Sequence, residues 1–143
     1  MRLLTLAPPV LAVAALALAA CGPAAAETAT PALCQSLIRA DYPPGGADQT
    51  ITVTFQAFQM GGPTPFEAVY ANDENGRGHQ VTAWPIHAKY QVLTHFADPY
   101  ADDQLRTYDA QFMCFTLPGR GWVAELMSRA PGGEEAQYIH KGQ

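Results

Sequence analysis

Three of the four histidines recur at a spacing of eight residues, as His79, His87 and His95. Imidazole nitrogen is the commonest metal ligand in proteins, and an even spacing places all three rings on one face of an unbroken strand. However, eight residues of extended chain span roughly 26 Å, so no single ion can bind two of these rings. The sequence therefore predicts no metal site among them.

A row of polar side chains remains on the strand pattern that follows Pro85. The row alternates with apolar residues and consists of His87, Lys89, Gln91 and His95. Antiparallel sheets commonly bury one face and leave the other in water, so we expect this row to face outward. It is either an ordinary solvated surface or a binding surface, and its four members are the candidate binding residues.

Few residues have the setting that covalent catalysis needs. The chain has two serines, Ser36 and Ser128, and neither stands in a Gly-x-Ser-x-Gly motif. An acid–base pair of His87 or His95 with Asp109 is the catalytic arrangement that remains, although the strand pattern points these side chains away from the core. No phosphate-binding loop and no Cys-x-x-Cys motif is present. The sequence thus predicts no catalytic residue and no cofactor, and it favours a protein that is not an enzyme.

The loop at 72–78 contains several oxygen ligands that would suit calcium. Counted from Asp73, however, the twelfth position of an EF-hand loop is Trp84, which cannot bind the ion. A hairpin turn at Asn75-Gly76 explains the same residues, because both tolerate a positive φ. We therefore predict a turn here and no metal ligand.

The first 20 residues have the pattern of a secretory signal. A single positive charge at Arg2 precedes an apolar run that continues to Ala20. The run ends in Leu-Ala-Ala-Cys at 18–21, which resembles the lipobox of bacterial lipoproteins, and the resemblance covers about the first 22 residues. In that family the cysteine thiol receives a diacylglycerol and a peptidase then cleaves before it. The alternative is an ordinary signal that is cut after Ala26.

The lipobox resemblance implies a location for the protein. It implies lipidation at Cys21 and a mature chain held in the membrane by several acyl chains. The next residue is Gly22 and not an aspartate, which in Gram-negative lipoproteins implies sorting to the outer membrane, on its periplasmic face. Loss of Arg2 with the signal changes the net charge from −5 to −6. No basic cluster is present, so we expect neither nucleic-acid binding nor electrostatic docking on anionic lipid.

The two other cysteines, Cys34 and Cys114, form an even pair in a chain expected to be exported. Oxidising compartments favour a disulfide between them. A bond closing a loop of about 80 residues stabilises the fold by roughly 4 to 5 kcal/mol in the chain-entropy model. The alternative is a pair of buried free thiols.

Apolar periodicity divides the mature chain into one helix and several strands. Thr30 is a suitable helix cap, and Leu33, Leu37 and Ala40 form an apolar stripe beside Cys34. The pattern then changes to a period of two, which is typical of strands. The predicted strands are residues 50–60, 66–71, 80–96, 107–117 and 122–129. Pro85 within the third of them predicts an edge strand or a bulge.

These elements predict an α+β domain, with an N-terminal helix packed on an antiparallel sheet of about five strands. The predicted organisation is a signal peptide at 1–20, a tether at 21–29, the domain at 30–130 and a disordered tail at 131–143. The arrangement resembles the cystatin folds and the cone-shaped folds of the scytalone-dehydratase type. This resemblance is one of architecture alone.

Two functional hypotheses follow from the sequence. The first is a lipid-anchored periplasmic binding module, built as inhibitor and immunity proteins often are, whose partner is a protein or an envelope component. The second is a small-ligand-binding or enzymatic cone-shaped domain with histidine and aspartate in a pocket. A deep pocket favours the second hypothesis, whereas a filled core with an exposed polar face favours the first.

Overall fold

The computed structural model describes residues 27–69, 78–131 and 135–141. In this part of the chain one short helix precedes a mostly antiparallel sheet of six strands. The elements are α1 (Pro31–Ala40), β1 (Gln49–Met60), β2 (Thr64–Val69), β3 (Gly78–Phe96), β4 (Asp103–Leu117), β5 (Gly121–Arg129) and β6 (Gln137–Ile139). The sixth strand lies within the segment that the sequence predicts to be a tail, and it raises the strand count above five. No helix among the described residues is long and apolar enough to cross a membrane.

Helix α1 begins where the sequence predicts it. The hydroxyl of Thr30 accepts a hydrogen bond from the amide of Leu33 at 3.2 Å, and Pro31 occupies the first turn, where its missing N–H costs nothing. The buried side of the helix carries Cys34 and Ile38, both fully excluded from solvent.

Strand β1 follows the predicted alternation only in its first half. Ile51, Val53 and Phe55 pack against the core, but the register with β3 shifts between Phe55 and Ala57. An extra residue in one strand reverses which side the following residues face. The alternation predicts Ala57 on the core side, and this is wrong: Ala57 is exposed, and Phe58 packs against the core in its place.

Strand β3 lies at the centre of the sheet, and Pro85 sits inside it without a bulge. On one side β3 pairs continuously with β4, and Pro85 stands opposite Met113. On the other side β2 pairs as far as Ala83 and β1 begins at Ile86. The carbonyl of Pro85 accepts a hydrogen bond from Gly61 in the β1–β2 connection. Because N–H and C=O of one residue point to the same side of a strand, the missing N–H faces this gap and no ladder bond is lost. The prediction of an edge strand or a bulge at Pro85 is therefore wrong.

The two faces of the sheet carry two apolar clusters. The larger one is aromatic and includes Tyr90, Tyr108 and Phe112 from the central strands, together with Cys34 and Ile38 of α1. The smaller one lies on the opposite face near β2. Its buried members are Ala68, Ala83, Phe115 and Leu117.

The predicted disulfide between Cys34 and Cys114 is confirmed. The Cα atoms of the two residues are 6.1 Å apart, and both side chains are fully buried. The bond ties α1 to the C-terminal part of β4, on the face of the sheet that carries the larger cluster. The sequence separation of 80 residues closes most of the described chain into one loop.

Candidate functional site

The polar row lies on the face of β3 that points away from the larger cluster. Along this strand Ala88, Tyr90 and Val92 are buried, whereas the residues between them are exposed or half-buried. The row consists, as the sequence predicts, of His87, Lys89, Gln91 and His95. The row therefore faces outward from the sheet, in the orientation expected for a solvated or a binding surface.

Asp109 on β4 holds the first two members of the row. Nε2 of His87 lies 2.5 Å from one carboxylate oxygen of Asp109, and Nζ of Lys89 lies 3.5 Å from the other. The pairing follows from the register, in which Lys89 stands directly opposite Asp109. A carboxylate that accepts from an imidazole fixes the orientation of the ring and its tautomer.

The far end of the row has partners of its own. The side-chain amide of Gln91 donates to the hydroxyl of Thr107 at 3.5 Å, across the same pair of strands. Nδ1 of His95 lies 2.8 Å from a carboxylate oxygen of Asp103. Lys141, which follows β6, pairs with the other oxygen of Asp103 at 3.2 Å and also donates to backbone carbonyls of the β3–β4 turn. Cross-strand pairs of this kind give the exposed face a defined shape.

The catalytic arrangement considered from the sequence is present only in part. His87 and Asp109 are in contact, whereas His95 pairs with Asp103 and not with Asp109. About 44% of the His87 side chain and 39% of the Asp109 side chain remain exposed, so the pair stands on the surface and not in an enclosed pocket. An exposed imidazole–carboxylate pair can exchange protons with a bound molecule, but nothing around it excludes water.

A shallow depression of about 650 Å³ adjoins the His87 end of the row. Three polar side chains on adjacent strands, Gln59, His87 and Gln111, form part of its lining. Pro85 and Met113 add apolar surface beside them. His87 is a candidate from the sequence, but the two glutamines are not, because their proximity depends on the register of three strands.

A second depression, of about 900 Å³, lies at the C-terminal end of β4. Its lining includes Thr28 before the helix, Trp84 on β3 and Leu117 at the end of β4. Glu27 is the one ionisable residue in this lining. The depression therefore offers apolar surface and few side chains that could exchange a proton or bind an ion.

The interior of the larger cluster is filled by aromatic rings. Tyr90 is fully buried, and its ring centroid lies 5.2 Å from that of Tyr108 and 5.7 Å from that of Phe55. The hydroxyls of Tyr42 and Tyr90 are 3.0 Å apart. Burial raises the pKa of the Tyr42 hydroxyl above its ordinary value, and the hydrogen bond to Tyr90 acts in the same direction. The Tyr42 hydroxyl therefore stays protonated at neutral pH and serves packing and hydrogen bonding.

The paired aspartates predict a dependence of stability on acid pH. The hydrogen bond from His87 holds the pKa of Asp109 below its usual value of 3.8, and the bond from His95 does the same for Asp103. A lowered pKa means that the stabilisation is fully present above the unfolded-state value and is lost as pH falls through the folded-state value. We expect Asp109→Asn to flatten the loss of stability below about pH 4. Thermal melting at a series of pH values checks this expectation, with Asp48→Asn as a control at an exposed position. A pH profile of Asp109→Asn that matches the wild type contradicts it.

Two further hypotheses drawn from the sequence concern ligands. Within the three described ranges, no group of three or more histidine, cysteine, aspartate or glutamate side chains is arranged to hold a metal ion. Cys21, the candidate lipidation residue, lies outside the described residues, and so does the loop at 72–77.

Comparison of the chain with protein-family models, with curated proteins and with solved structures finds no match.

Proposed function

We propose that this protein is a lipid-anchored binding module of the bacterial envelope. Its anchor is a lipid on Cys21, it resides on the periplasmic face of the outer membrane, and its partner is a protein or an envelope component. The polar row on β3 is the binding surface. Inhibitor and immunity proteins provide the functional analogy for a small module of this kind.

One observation supports the polar row most directly: its side chains are half-exposed and yet held in place. His87 and Lys89 share Asp109, and His95 is held by Asp103. Side chains that are already ordered lose less conformational entropy when a partner arrives, so binding costs less free energy. The adjacent depression adds apolar surface at Pro85 and Met113, which a partner can cover.

The binding role predicts a separation of affinity from stability. Replacing His87, Lys89 and His95 together by serine removes surface pairs that are each worth about 0 to 1 kcal/mol, so we expect only a small change in melting temperature. The same variant should lose most of the partner that the wild-type protein retains from envelope extracts. Affinity purification followed by mass spectrometry measures this loss.

A matched control uses the same face of the sheet on another strand. Thr52 of β1 is exposed there and stands opposite Leu93, which is not a member of the row, so Thr52→Ser leaves the row intact. Unchanged retention by the row variant contradicts the proposed surface. So does an unfolded row variant, because the row then supports the fold and is not free for a partner.

Lipidation predicts a defined chemical form of the mature protein. We expect the intact mass of protein from membranes to correspond to a chain that begins at Cys21 and carries acyl groups. Cys21→Ser should remain unprocessed or leave the membrane fraction. An unmodified mass for a chain that begins at Glu27 identifies an ordinary signal peptide and overturns the anchor.

The contact between His87 and Asp109 favours one alternative function. A small-molecule-binding or enzymatic domain would use this pair at the edge of the 650 Å³ depression, a volume typical of ligand sites. Such a protein captures a small molecule and no protein from envelope extracts. Asp109→Asn then abolishes the binding or turnover of that molecule.

We also propose a finer description of the fold, in which α1 covers one face of the sheet to make an α+β unit. The disulfide to β4 and the burial of Ile38 in the larger cluster support it. This packing can be tested by introducing pairs of cysteines, one in α1 and one in β5, and measuring whether a disulfide forms between them.

A further inference from the structure

Strand β1 forms an outer edge of the sheet, and most of that edge has no partner among the described residues. β1 pairs with β3 on its inner side, and at its start Gly45 bridges to Thr50 on the outer side. The amide of Ile51 donates outward to the carbonyl of Pro44 at 3.0 Å. In an antiparallel strand the peptide groups of alternate residues point to the same side, so those of Val53 and Phe55 also point outward. The edge beyond Ile51 therefore presents donors and acceptors to solvent.

The other outer strands carry features that discourage pairing with another chain. Proline, charged side chains and short length are the usual ones. β2 contains Pro65 and Glu67, β5 contains Glu125 and Arg129, and β6 has three residues. β1 has 12 residues and contains neither a proline nor a charge. Its bulge after Phe55 is the one such feature that it has, and the first half of the strand pairs with β3 in a regular register.

We propose that β1 pairs with β1 of a second copy of this chain, antiparallel and centred on Thr54. This register places Val53 of each copy opposite Phe55 of the other, and each such pair exchanges two backbone hydrogen bonds. The strand suits its own copy because none of its own 12 residues is charged, so no like charges of the two strands face each other.

The side chains of the two copies match on both faces of this joined sheet. On the exposed face Thr54 meets Thr54 of the second copy, which gives a pair of hydroxyls. On the other face Val53 and Phe55 are half-buried, and the Arg39 guanidinium lies over the Phe55 ring, 4.8 Å from its centroid. A second strand covers their open sides and extends the apolar cluster across the axis.

Charge substitutions at the axis test the pairing in the full chain as cells make it. Two differently tagged copies are co-expressed. One copy is purified by its tag from detergent-solubilised membranes, and the other copy is detected in the purified material by its own tag. We expect wild-type copies to co-purify, and Thr54→Lys copies and Thr54→Glu copies each to lose the association, because like charges then face each other. Co-expression of Thr54→Lys with Thr54→Glu should restore it.

Thr50→Lys is the matched control, since it adds the same charge where Pro44 and Gly45 already cover the edge. Co-purification of Thr54→Lys copies at the wild-type level overturns the proposal, as does the absence of association between wild-type copies. Retention of a foreign protein by the β1 edge in place of a second copy overturns it too.

A cross-linking experiment covers the case in which the charged variants fail to fold. Directly opposed side chains of a non-hydrogen-bonded pair have Cβ atoms about 4.5 to 5.5 Å apart, so Thr54→Cys should form a disulfide-linked dimer on mild oxidation. Thr50→Cys should stay monomeric under the same conditions. Equal cross-linking of the two variants, or of neither, contradicts pairing centred on Thr54.

Discussion

Replacing Cys34 and Cys114 together by alanine is expected to lower the free energy of unfolding by about 4 to 5 kcal/mol. The bond closes a loop with a sequence separation of 80 residues, and the chain-entropy model assigns a loop of that length this stabilisation. Since the free energy of unfolding of small domains is about 5 to 15 kcal/mol, the variant keeps only part of its stability. Urea unfolding followed by tryptophan fluorescence or circular dichroism measures the difference.

Reductant provides the control for this experiment. It should lower the stability of the wild-type protein and leave that of the double variant unchanged, because no bond remains to be reduced. Each single alanine variant should lose about as much as the double variant, because either change removes the same bond. A wild-type unfolding curve that reductant does not move contradicts the stabilising role of the bond.

Truncation of Tyr90 is expected to have an effect of similar size. The side chain is fully buried and contacts the rings of Tyr42, Phe55 and Tyr108. Large-to-small changes of core aromatic residues cost about 3 to 5 kcal/mol through lost burial and a residual cavity. We expect Tyr90→Ala to lower the melting temperature by about 10 °C or more, as measured by differential scanning calorimetry.

Two further tyrosine variants calibrate this result. Tyr100 is 94% exposed, so Tyr100→Ala should change stability by less than about 0.5 kcal/mol. Tyr90→Phe keeps the ring and removes the hydroxyl that lies 3.0 Å from that of Tyr42, at a cost of about 1 kcal/mol. Equal melting temperatures for Tyr90→Ala and Tyr100→Ala would show that the aromatic cluster does not hold the fold together.

Elements with a long, regular apolar pattern could be predicted from the sequence. The alternation after Pro85 placed Tyr90 inside and the polar row outside, and the buried sides of α1 and β4 brought Cys34 and Cys114 together. Such elements are predictable because burial of one face dictates the period. The position of Phe58 against the core, where the pattern places Ala57, was not predictable. A bulge depends on how β1 pairs with its neighbour and not on the pattern of β1 alone.

Features that depend on contacts between distant segments were also missed. β6 consists of three residues, which is too short for a recognisable period, and the ion pair of Lys141 with Asp103 accompanies it. The pairing of His95 with Asp103 needed the register of β3 and β4. A connection centred near Pro99 implies that register, so this one signal was available in the sequence.

The separation of 80 residues between the two bridged cysteines sets a time interval between their synthesis. At about 5 to 20 residues per second, Cys34 emerges roughly 4 to 16 s before Cys114. The helix folds locally within about a microsecond, but its thiol has no partner until β3 and β4 have paired. Once the chain is in an oxidising compartment, the Cys34 thiol is open to other oxidised partners until Cys114 is in place. Completion of β4 is therefore the event that ends the exposure of Cys34 to wrong partners.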